Sequence, residues 1–511
     1  MAYTGIPLQH LFIIYLVQVL LVTLPGYGIA LLLKKAGQTN PNVGYIPFVN
    51  TWHMQKLTGR KLHWVFWQFI PIVGWFITPG IFIEFVKLFG RYSFASHIAA
   101  SLAAPIYLPI IGKDDKVRYI GANMVKMHRK SGLREWLDAA IFAIVAATLI
   151  RLFVFEAYVI PTGSMEKTLL VNDYLFVSKM TYGTRLPNTP LAIPFVHHTL
   201  PIINTKSYIS AVKLPYVRWF ARYPMANDVV VFNFPAGDTF TTEWDSKKVI
   251  YDMYRKEGRQ SVQDNYTIST RPVDKRENYV KRCVAVAGDT IQVINGVLYV
   301  NNTKSTLLPY SQLFYKVQFK AAIPSDEVLK SEYGVDVEKA DENIEFFNDR
   351  QTNQPVLLLT NLNLVKLQQS GLAISIIPYP FPTDGVEELF PHSITTPWTV
   401  NDYGKLWIPK KGVTITLNTD NVIRYRRAIE SYEGNTFEPQ ANGTVLINGV
   451  ATNTYTFKLN YYWMMGDNRH NSQDSRFWGY VPEDHLVGSP KLIWMSWEKG
   501  PRWKRLFSLI K

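Results

Sequence analysis

The chain has 511 residues, more than one hydrophobic core usually organises, so several domains are expected. Its formal charge of +14 fits nucleic acid, an anionic membrane surface or basic cytoplasmic loops, and the apolar N-terminal segments favour the last two. A single cysteine, Cys283, excludes an intrachain disulfide but not an oxidising compartment, because a large core needs no such crosslink.

Apolar stretches dominate the N-terminal part of the chain. Residues 11–33 are long enough to cross about 30 Å of hydrocarbon as a helix, and Pro25 is expected to kink it. No Lys or Arg precedes this run and no small-residue cleavage site follows it, so we do not predict a removable secretory signal. Similar stretches at 64–86, 94–112 and 136–155 predict three further spans, although the Pro and Gly residues of 64–86 leave a re-entrant or broken segment as the alternative.

Basic residues between these stretches predict the orientation. The loops between the first and second spans, and between the third and fourth, are rich in Lys and Arg, which places both loops in the cytoplasm. The N-terminus, the 87–93 loop and everything after Phe155 then lie outside, although Lys87 and Arg91 oppose this orientation. The fourth helix would therefore deliver the following segment to the outer surface of the membrane.

The pattern from residue 156 onward is typical of β-strands. Residues 228–234 form a short run rich in β-branched side chains, and residues 290–300 predict a hairpin around Asn295 and Gly296. Residues 445–450 repeat this device at Asn448 and Gly449. The segment 303–456 is predicted to be an insertion of strands and short helices, one of them over 327–333.

One serine and one lysine suggest a hydrolase. Ser164 lies in a Pro- and Gly-containing turn just after the fourth apolar stretch, and a serine needs a base to become a nucleophile. No histidine can be nominated as that base from its spacing, whereas Lys281, in an apolar strand, would be neutral if burial lowered its pKa. Strand alternation would turn Val280 and Arg282 to the other side, with Arg282 close enough to disfavour a second positive charge. The alternative for a lone lysine in a strand is a solvated edge charge.

Polar residues in two further segments could stabilise the reaction of this serine and lysine or hold them in place. The hydroxyl of Thr162 and the N–H of Ser164 could bind an oxyanion, although a turn-stabilising threonine is equally consistent with the local sequence. Residues 466–476 are dense in Asp, Asn, Arg and Ser, which predicts a rigid network of Arg–carboxylate pairs, with Ser472 able to hydrogen-bond a lysine amine. Two isolated aspartates are weak evidence for a metal, so neither a metal nor a cofactor is predicted.

Together, residues 160–169, 172–174, 228–232, 279–289 and 466–479 resemble the conserved boxes of bacterial type I signal peptidase, a membrane-bound Ser–Lys endopeptidase, and they occur in that family's order. The resemblance implies that Ser164 is the nucleophile, that Lys281 is the general base and that Ser472 orients it. It also implies an oxyanion hole from Thr162 and the Ser164 N–H, and a support network of Arg282, Asp474 and Arg476. Shallow pockets for small side chains at substrate positions −1 and −3 would be lined by Ile160, Met165, Leu169, Tyr279 and Val280.

The sequence departs from the family pattern in several places. Lys167, preceded by Glu166, replaces a usual proline, which could alter the loop beside the nucleophile. Ala287 replaces another proline, and His470 replaces a common aspartate. Ordinary members also have fewer spans, so the resemblance does not account for the first 130 or so residues.

The sequence therefore predicts a multi-span α-helical membrane region followed by a mainly-β extracytoplasmic protease domain with a large inserted β-rich subdomain. The expected boundaries are 1–135 for the N-terminal membrane region, 136–155 for the last span, 156–302 with 457–511 for the catalytic domain, and 303–456 for the insertion.

The expected protein is a multi-pass signal peptidase I of the cytoplasmic membrane with its site on the periplasmic side. Its expected partners are preprotein signal peptides, membrane lipid and the export machinery, and no nucleic acid. The basic, aromatic tail at 499–507 would rest on the membrane interface or form a solvated tail. The alternatives are a catalytically silent membrane scaffold that keeps the fold, or a self-cleaving Ser–Lys protease, which would leave the membrane spans unexplained.

Overall fold

Helices form the N-terminal part of the chain, and strands predominate after it. The computed structural model describes residues 8–70, 73–129, 131–235, 239–242, 250–306, 308–339, 344–380, 389–393, 398–440 and 443–510. Two units are present: Met1–Leu152 with Pro190–Val196 and Tyr208–Val217, and Phe153–Thr189 with His197–Ser207 and Arg218–Lys511.

The first unit is built from short helices. They are α1 (Leu8–Thr23), α2 (Gly26–Lys35), α3 (Val49–Thr58), α4 (Trp64–Trp67), α5 (Val73–Lys87), α6 (Phe94–Leu102), α7 (Ala104–Lys113), α8 (Gly121–Met127) and α9 (Gly132–Phe153). Helices α2 and α7 pack closely because Gly28 has no side chain: a Cβ atom there would lie 2.5 Å from the backbone of Leu108. This approach helps to bury an apolar core shared by α2, α5 and α7.

Two of the four predicted spans correspond to helical segments of membrane-crossing length. Among the described residues, Tyr15–Lys35 and Gly132–Phe153 are long and apolar enough to cross a membrane. Pro25 interrupts the first segment between α1 and α2, as expected. The predicted spans at 64–86 and 94–112 are instead broken into shorter helices. In 94–112 the break lies at Ala103, beside Pro105, which has no N–H to continue the hydrogen-bond ladder. The expected placement of the 87–93 loop on the outer side is not supported, because Arg91 Nη2 lies 3.2 Å from Asp114 Oδ2, in a loop that was expected in the cytoplasm.

The second unit contains an eight-stranded antiparallel sheet that carries the candidate site. Its strand order is β1-β2-β22-β3-β6-β20-β21, and β23 pairs with β22. The strands of this main sheet are β1 (Phe155–Val159), β2 (Asp173–Ser178), β3 (Val229–Asn233), β6 (Asn278–Ala285), β20 (Tyr461–Met465), β21 (Val481–Pro482), β22 (Leu486–Ser496) and β23 (Ser508–Leu509). Every residue of β3 and β20 is buried, which explains why residues 229–232 of β3 and all of β20 are continuous apolar runs rather than alternating ones.

Both predicted hairpins are confirmed. Asn295 and Gly296 have φ angles of 49° and 75° between β7 (Thr290–Ile294) and β8 (Val297–Val300). Asn448 and Gly449 have φ angles of 52° and 77° at the second hairpin. Two successive positive φ angles are what a two-residue type I′ turn requires.

The remaining elements of the second unit are smaller. Its other strands are β4 (Thr239–Thr241), β5 (Ile268–Thr270), β9 (Thr303–Lys304), β10 (Gln312–Phe319), β11 (Phe346–Asn348), β12 (Pro355–Thr360), β13 (Ala373–Pro378), β14 (Tyr403–Trp407), β15 (Thr414–Thr416), β16 (Phe437–Pro439), β17 (Val445–Ile447), β18 (Val450–Thr452) and β19 (Thr454–Thr456). Its helices are α10 (Ile250–Glu257), α11 (Arg259–Asn265), α12 (Asp326–Tyr333), α13 (Asn361–Ser370), α14 (Thr419–Arg427) and α15 (Ser475–Trp478).

The insertion has a sheet of its own, with strand order β11-β12-β10-β13. The predicted helix over 327–333 is α12, capped by the Ser325 hydroxyl. Helix α13 was not predicted, although the cap residue Thr360 and the left-handed Gly371 mark both of its ends.

Candidate active site

The loop that carries Ser164 follows the edge strand β1. Two backbone hydrogen bonds of Ile160 hold this loop against the start of β2: the Ile160 N–H donates to Asp173 O at 3.0 Å, and the Asn172 N–H donates to Ile160 O at 2.9 Å. A single 3₁₀ turn, Gly163–Met165, then places Ser164 inside the domain, where it is 8% exposed. The chain thus presents a nearly buried hydroxyl at the end of a strand.

Lys281 reaches this hydroxyl from the middle of the sheet. It lies in β6 opposite Val230 of β3 and is 3% exposed. Its Nζ lies 2.5 Å from the Ser164 Oγ. The two residues are 117 positions apart in the sequence, so only the folded sheet brings them together.

Burial sets the protonation of this lysine. Desolvation by burial lowers the pKa of Lys281 to about 8. The carboxylates of Asp474 and Asp467 raise this pKa, and the charge of Arg476 lowers it. The sequence assigned that last role to Arg282. The structure instead pairs the Arg282 guanidinium with Asp467, at 2.8 Å to Oδ1 and 2.6 Å to Oδ2. A neutral Lys281 amine can accept the proton of the Ser164 hydroxyl across the same contact.

A buried ion pair organises the 466–476 loop. The Asp474 carboxylate accepts from Arg476 Nε at 2.9 Å and from Nη2 at 2.8 Å, and it accepts the Gly466 N–H at 3.2 Å. Asp474 is 0% exposed and Arg476 is 1% exposed, so each charge depends on the other for compensation. Desolvation alone would raise the pKa of Asp474, but the charge of Arg476, together with the hydrogen bonds from Arg476 and the Gly466 N–H, lowers it.

Two residues of this loop that were not nominated from the sequence hold the serine loop directly. The Asn468 N–H donates to Ser164 O at 3.1 Å, and its side-chain amide donates to Gly163 O at 3.2 Å. The carboxylate of Asp467 accepts from Arg282 and also from the Thr168 hydroxyl at 2.7 Å. Both residues lie in the 466–476 segment, and the high content of polar residues there was the only sequence signal of their role.

Ser472 lies beside the pair without a hydrogen bond to Lys281 among the described residues. Its hydroxyl donates to Gln473 O at 3.4 Å. It packs against Gly466, where a Cβ atom would lie 2.3 Å from Ser472 Oγ and 2.6 Å from Ser164 O. Gly466 therefore permits a close approach between the two loops, and the orienting role of Ser472 stays a prediction.

A cleft of about 230 Å³ opens beside the pair. Its walls include Ile160, Thr162, Tyr279 and Val280, together with both members of the pair. Thr162 is exposed and its backbone is extended. Its side chain makes no capping hydrogen bond to the 3₁₀ turn that follows it. The structure therefore places three of the five predicted pocket residues, and the predicted oxyanion threonine, on the cleft.

The other two predicted pocket residues lie deeper. Met165 and Leu169 are 0% exposed and belong to an apolar cluster with Ile160, Leu175 and Val231. They are not among the residues that line the cleft. Their side chains therefore anchor the serine loop to the apolar residues of the sheet.

His470 does not compete with Lys281 as a base. Burial, with the charge of Arg476, lowers its pKa to about 3, so it is neutral at physiological pH. Its Nδ1 accepts the Phe314 N–H at 3.0 Å, and its Nε2 lies 2.8 Å from Asn401 Oδ1. Among the residues that the structure describes, no group of three His, Cys, Asp or Glu side chains could hold a metal ion.

Comparisons with known proteins indicate the family of this chain. A model of the family "Signal peptidase, peptidase S26" matches residues 133–354 and 404–497, and a family of unknown function (DUF5684) matches 43–122. Signal peptidase I of Haemophilus influenzae is 25% identical over 395 residues, covering 76% of this chain and 78% of the relative.

Two further relatives carry the same name. Signal peptidase I of Buchnera aphidicola is 24% identical over 381 residues, covering 74% of this chain and 80% of the relative. Signal peptidase I of Rickettsia massiliae is 27% identical over 238 residues, covering 44% and 65%. The family model covers more than half of the chain, and it spans the Ser164 loop, β6 and the 466–476 loop. This chain therefore belongs to the signal peptidase family of S26 serine endopeptidases.

Proposed function

We propose that Ser164 and Lys281 carry out the hydrolysis by which this signal peptidase I removes N-terminal signal peptides from exported preproteins. The observation that carries the proposal is the 2.5 Å contact between Ser164 Oγ and a buried Lys281 Nζ whose pKa is lowered to about 8. A buried amine of this kind supplies the base that a serine hydroxyl needs.

The reaction follows from this geometry. The neutral Lys281 amine takes the Ser164 Oγ proton as Oγ bonds to the carbonyl carbon of substrate residue −1. The oxyanion that forms is bound by the Ser164 N–H and the Thr162 hydroxyl. The Lys281 ammonium then protonates the departing amine as the C–N bond breaks. A water deprotonated by the same amine hydrolyses the acyl-enzyme and restores Ser164.

The cleft is suited to small side chains at positions −1 and −3. Ile160 and Val280 supply apolar walls beside Ser164 and Lys281. An apolar wall accepts a methyl group, and it rejects a larger group by steric clash and a charged group by desolvation. The roles of Ser472, Asp474, Arg476 and Arg282 are to keep the loops and the lysine in place.

The same proposal includes a multi-pass position in the cytoplasmic membrane with the catalytic domain on the outer side. Helix α9 supports it, because the helix is long and apolar enough to cross a membrane and exposes large side chains such as Trp136 (78%) and Phe142 (72%). It ends two residues before β1 begins, so a span there would lead directly into the catalytic domain. The domain boundaries predicted from the sequence belong to this proposal.

Membrane lipid is a proposed partner of both ends of the chain. In the first unit a cavity of about 680 Å³ is lined by Arg60, Lys87, Lys126, Arg129 and Arg134 against one carboxylate, Glu84, which suits anionic headgroups. Near the C-terminus, Trp503 and Phe507 are 74% and 69% exposed among basic residues, as expected for a segment at the interface. The export machinery is a further proposed partner, as the source of the preproteins.

The test is cleavage of a preprotein with Ala at −1 and −3 by the purified full-length chain in detergent. Ser164→Ala and Lys281→Ala should each abolish cleavage after −1 while thermal unfolding stays cooperative. Retained cleavage in either variant would remove that residue from the proposed mechanism. An inactive but folded wild-type chain would favour the silent scaffold, against which the assembled Ser–Lys pair now argues.

A further inference from the structure

The inserted subdomain contacts both loops that flank the nucleophile. Gln312, at the start of β10, donates its N–H to Asp467 O at 2.8 Å and accepts the Arg469 N–H at 3.0 Å. The Ser311 hydroxyl donates to Asp467 O at 3.2 Å. These hydrogen bonds attach the insertion to the loop that holds Ser164. The insertion also contacts the serine loop itself.

That second contact is a cluster of four charged residues, here called the nucleophile-loop cluster: Glu166, Lys167, Lys339 and Glu345. Lys167 Nζ lies 3.3 Å from Glu345 Oε1, and Lys339 Nζ lies 2.8 Å from the same oxygen. Lys339 also reaches Glu166 Oε1 at 3.2 Å. Two carboxylates and two ammonium groups therefore join the serine loop to the insertion with no net charge.

Glu345 is the fixed member of this cluster. It is 1% exposed, its Oε2 accepts the Asp336 N–H at 2.7 Å, and its backbone carbonyl accepts the Leu358 N–H from β12 at 2.8 Å. A buried carboxylate is stable only when cations and hydrogen bonds compensate it. Lys167 is one of the two lysines that compensate the charge of Glu345. The position of the serine loop and the stability of the buried Glu345 carboxylate therefore depend on each other.

The ion pair with Glu345 stabilises Lys167 in a strained backbone conformation. Its φ angle is +71°, in the left-handed region that a residue with a Cβ atom occupies only when its surroundings enforce it. It lies within a tight turn in which the Glu166 N–H donates to Gly163 O at 3.0 Å and the Leu169 N–H donates to Met165 O at 2.7 Å. A proline, with φ fixed near −65°, could not adopt this turn. The Lys167 conformation is therefore coupled to the turn that presents Ser164.

We propose that Glu345 of the insertion is a positioning residue for peptide cleavage, holding Ser164 Oγ within reach of Lys281 by anchoring Lys167. The inference rests on the proposed roles of Ser164 and Lys281. It assigns a task to the inserted subdomain: one of its buried carboxylates sets the geometry of a catalytic loop that lies almost 180 positions away.

The test compares Glu345→Gln and Lys167→Met with the wild-type chain, in detergent, on the preprotein described above. A loosened serine loop should lower kcat by about 10- to 100-fold, since misplacement of a reacting group by about 1 Å can cost that much. KM should change by less than about threefold, because the cleft walls are untouched. The acid limb of the pH–rate profile should also move to higher pH, because a looser loop admits water to Lys281 and raises its pKa.

Two controls separate positioning from general stability. Asp349→Asn breaks the 3.2 Å ion pair with Lys316 in the same inserted sheet, and among the described residues neither partner contacts the serine loop. It should leave kcat and the pH profile unchanged. Lys167→Arg keeps the cation and should retain most of the activity. An equal loss of kcat in Asp349→Asn and Glu345→Gln would overturn the inference, because destabilising the insertion would then be sufficient.

A double-variant cycle keeps the test decisive if Glu345→Gln alone is unstable. Lys167→Met/Glu345→Gln leaves the pair of Lys339 and Glu166 intact and should be no slower than the slower single variant, because both residues act through one contact. Additive losses would contradict this. Wild-type kcat in Glu345→Gln, with Ser164→Ala inactive, would reject the positioning role and leave the proposed function standing.

Discussion

Cleavage should depend on pH through the neutral amine of Lys281. Burial lowers the pKa of this group from 10.5 to about 8. At pH 7 a lysine with a pKa of 8 is neutral in about one molecule in ten, and one with a pKa of 10.5 in about one in three thousand. The fold therefore raises the fraction of active base by about 300-fold at that pH.

The assay is kcat/KM for the full-length chain from about pH 6 to about pH 10, with a substrate that has no titrating group near the scissile bond. A base whose pKa is lowered becomes available at lower pH. The rate should therefore rise about tenfold per pH unit below pH 8 and level off above it. Thermal unfolding at each pH checks that the fold is intact. A profile that is flat across this range, or one with its midpoint near pH 6.5, would refute a lysine base.

Replacing Lys281 with Met should abolish cleavage yet raise the free energy of unfolding at pH 7 by up to about 3 kcal/mol, because the folded state disfavours the ammonium form there. The gain should disappear as pH rises towards the ordinary lysine pKa, and a destabilised variant at pH 7 in thermal melts would count against it. Thr162→Val should slow turnover by roughly 10²–10³-fold, and an unchanged kcat would remove Thr162 from the oxyanion hole. Asp467→Asn should lower the unfolding free energy by about 3–5 kcal/mol, because Arg282 is then buried without its carboxylate; denaturant titration with an unchanged midpoint would contradict this. A membrane-impermeant label on a cysteine placed at Ser131 should react only from the cytoplasmic side, and labelling from outside would reverse the topology.

Local turn chemistry made parts of the fold readable from the sequence. Asn295 and Asn448, each followed by glycine, predicted hairpins that the structure contains, because Asn and Gly adopt positive φ angles at lower cost than most residues. The buried run of β3 was readable for a similar reason, since strands covered on both faces lose their alternation. The helices of the first unit were harder, because hydropathy does not count the backbone hydrogen bond that Pro105 removes.

The supporting residues of the site were the least predictable. Thr168 and Asp467 are 299 positions apart and meet only because the 466–476 loop folds over the serine loop. Arg282 was expected beside Lys281 as a positive charge that lowers the lysine pKa, whereas the structure pairs it with the carboxylate of Asp467. Such pairings depend on which loops the sheet brings together, and no local pattern reports that.

The sequence by itself determined the chemistry of this protein: a serine in a tight turn after an apolar segment, a lysine in an apolar strand and a polar loop, in the order of the S26 family. Only the tertiary structure decided how these groups are arranged. It places Lys281 Nζ 2.5 Å from Ser164 Oγ, lowers its pKa by burial, and brings Glu345 of the insertion to the serine loop. The reason is physical, because residue identity specifies which groups can react, whereas desolvation and long-range ion pairing arise only when distant strands exclude water together.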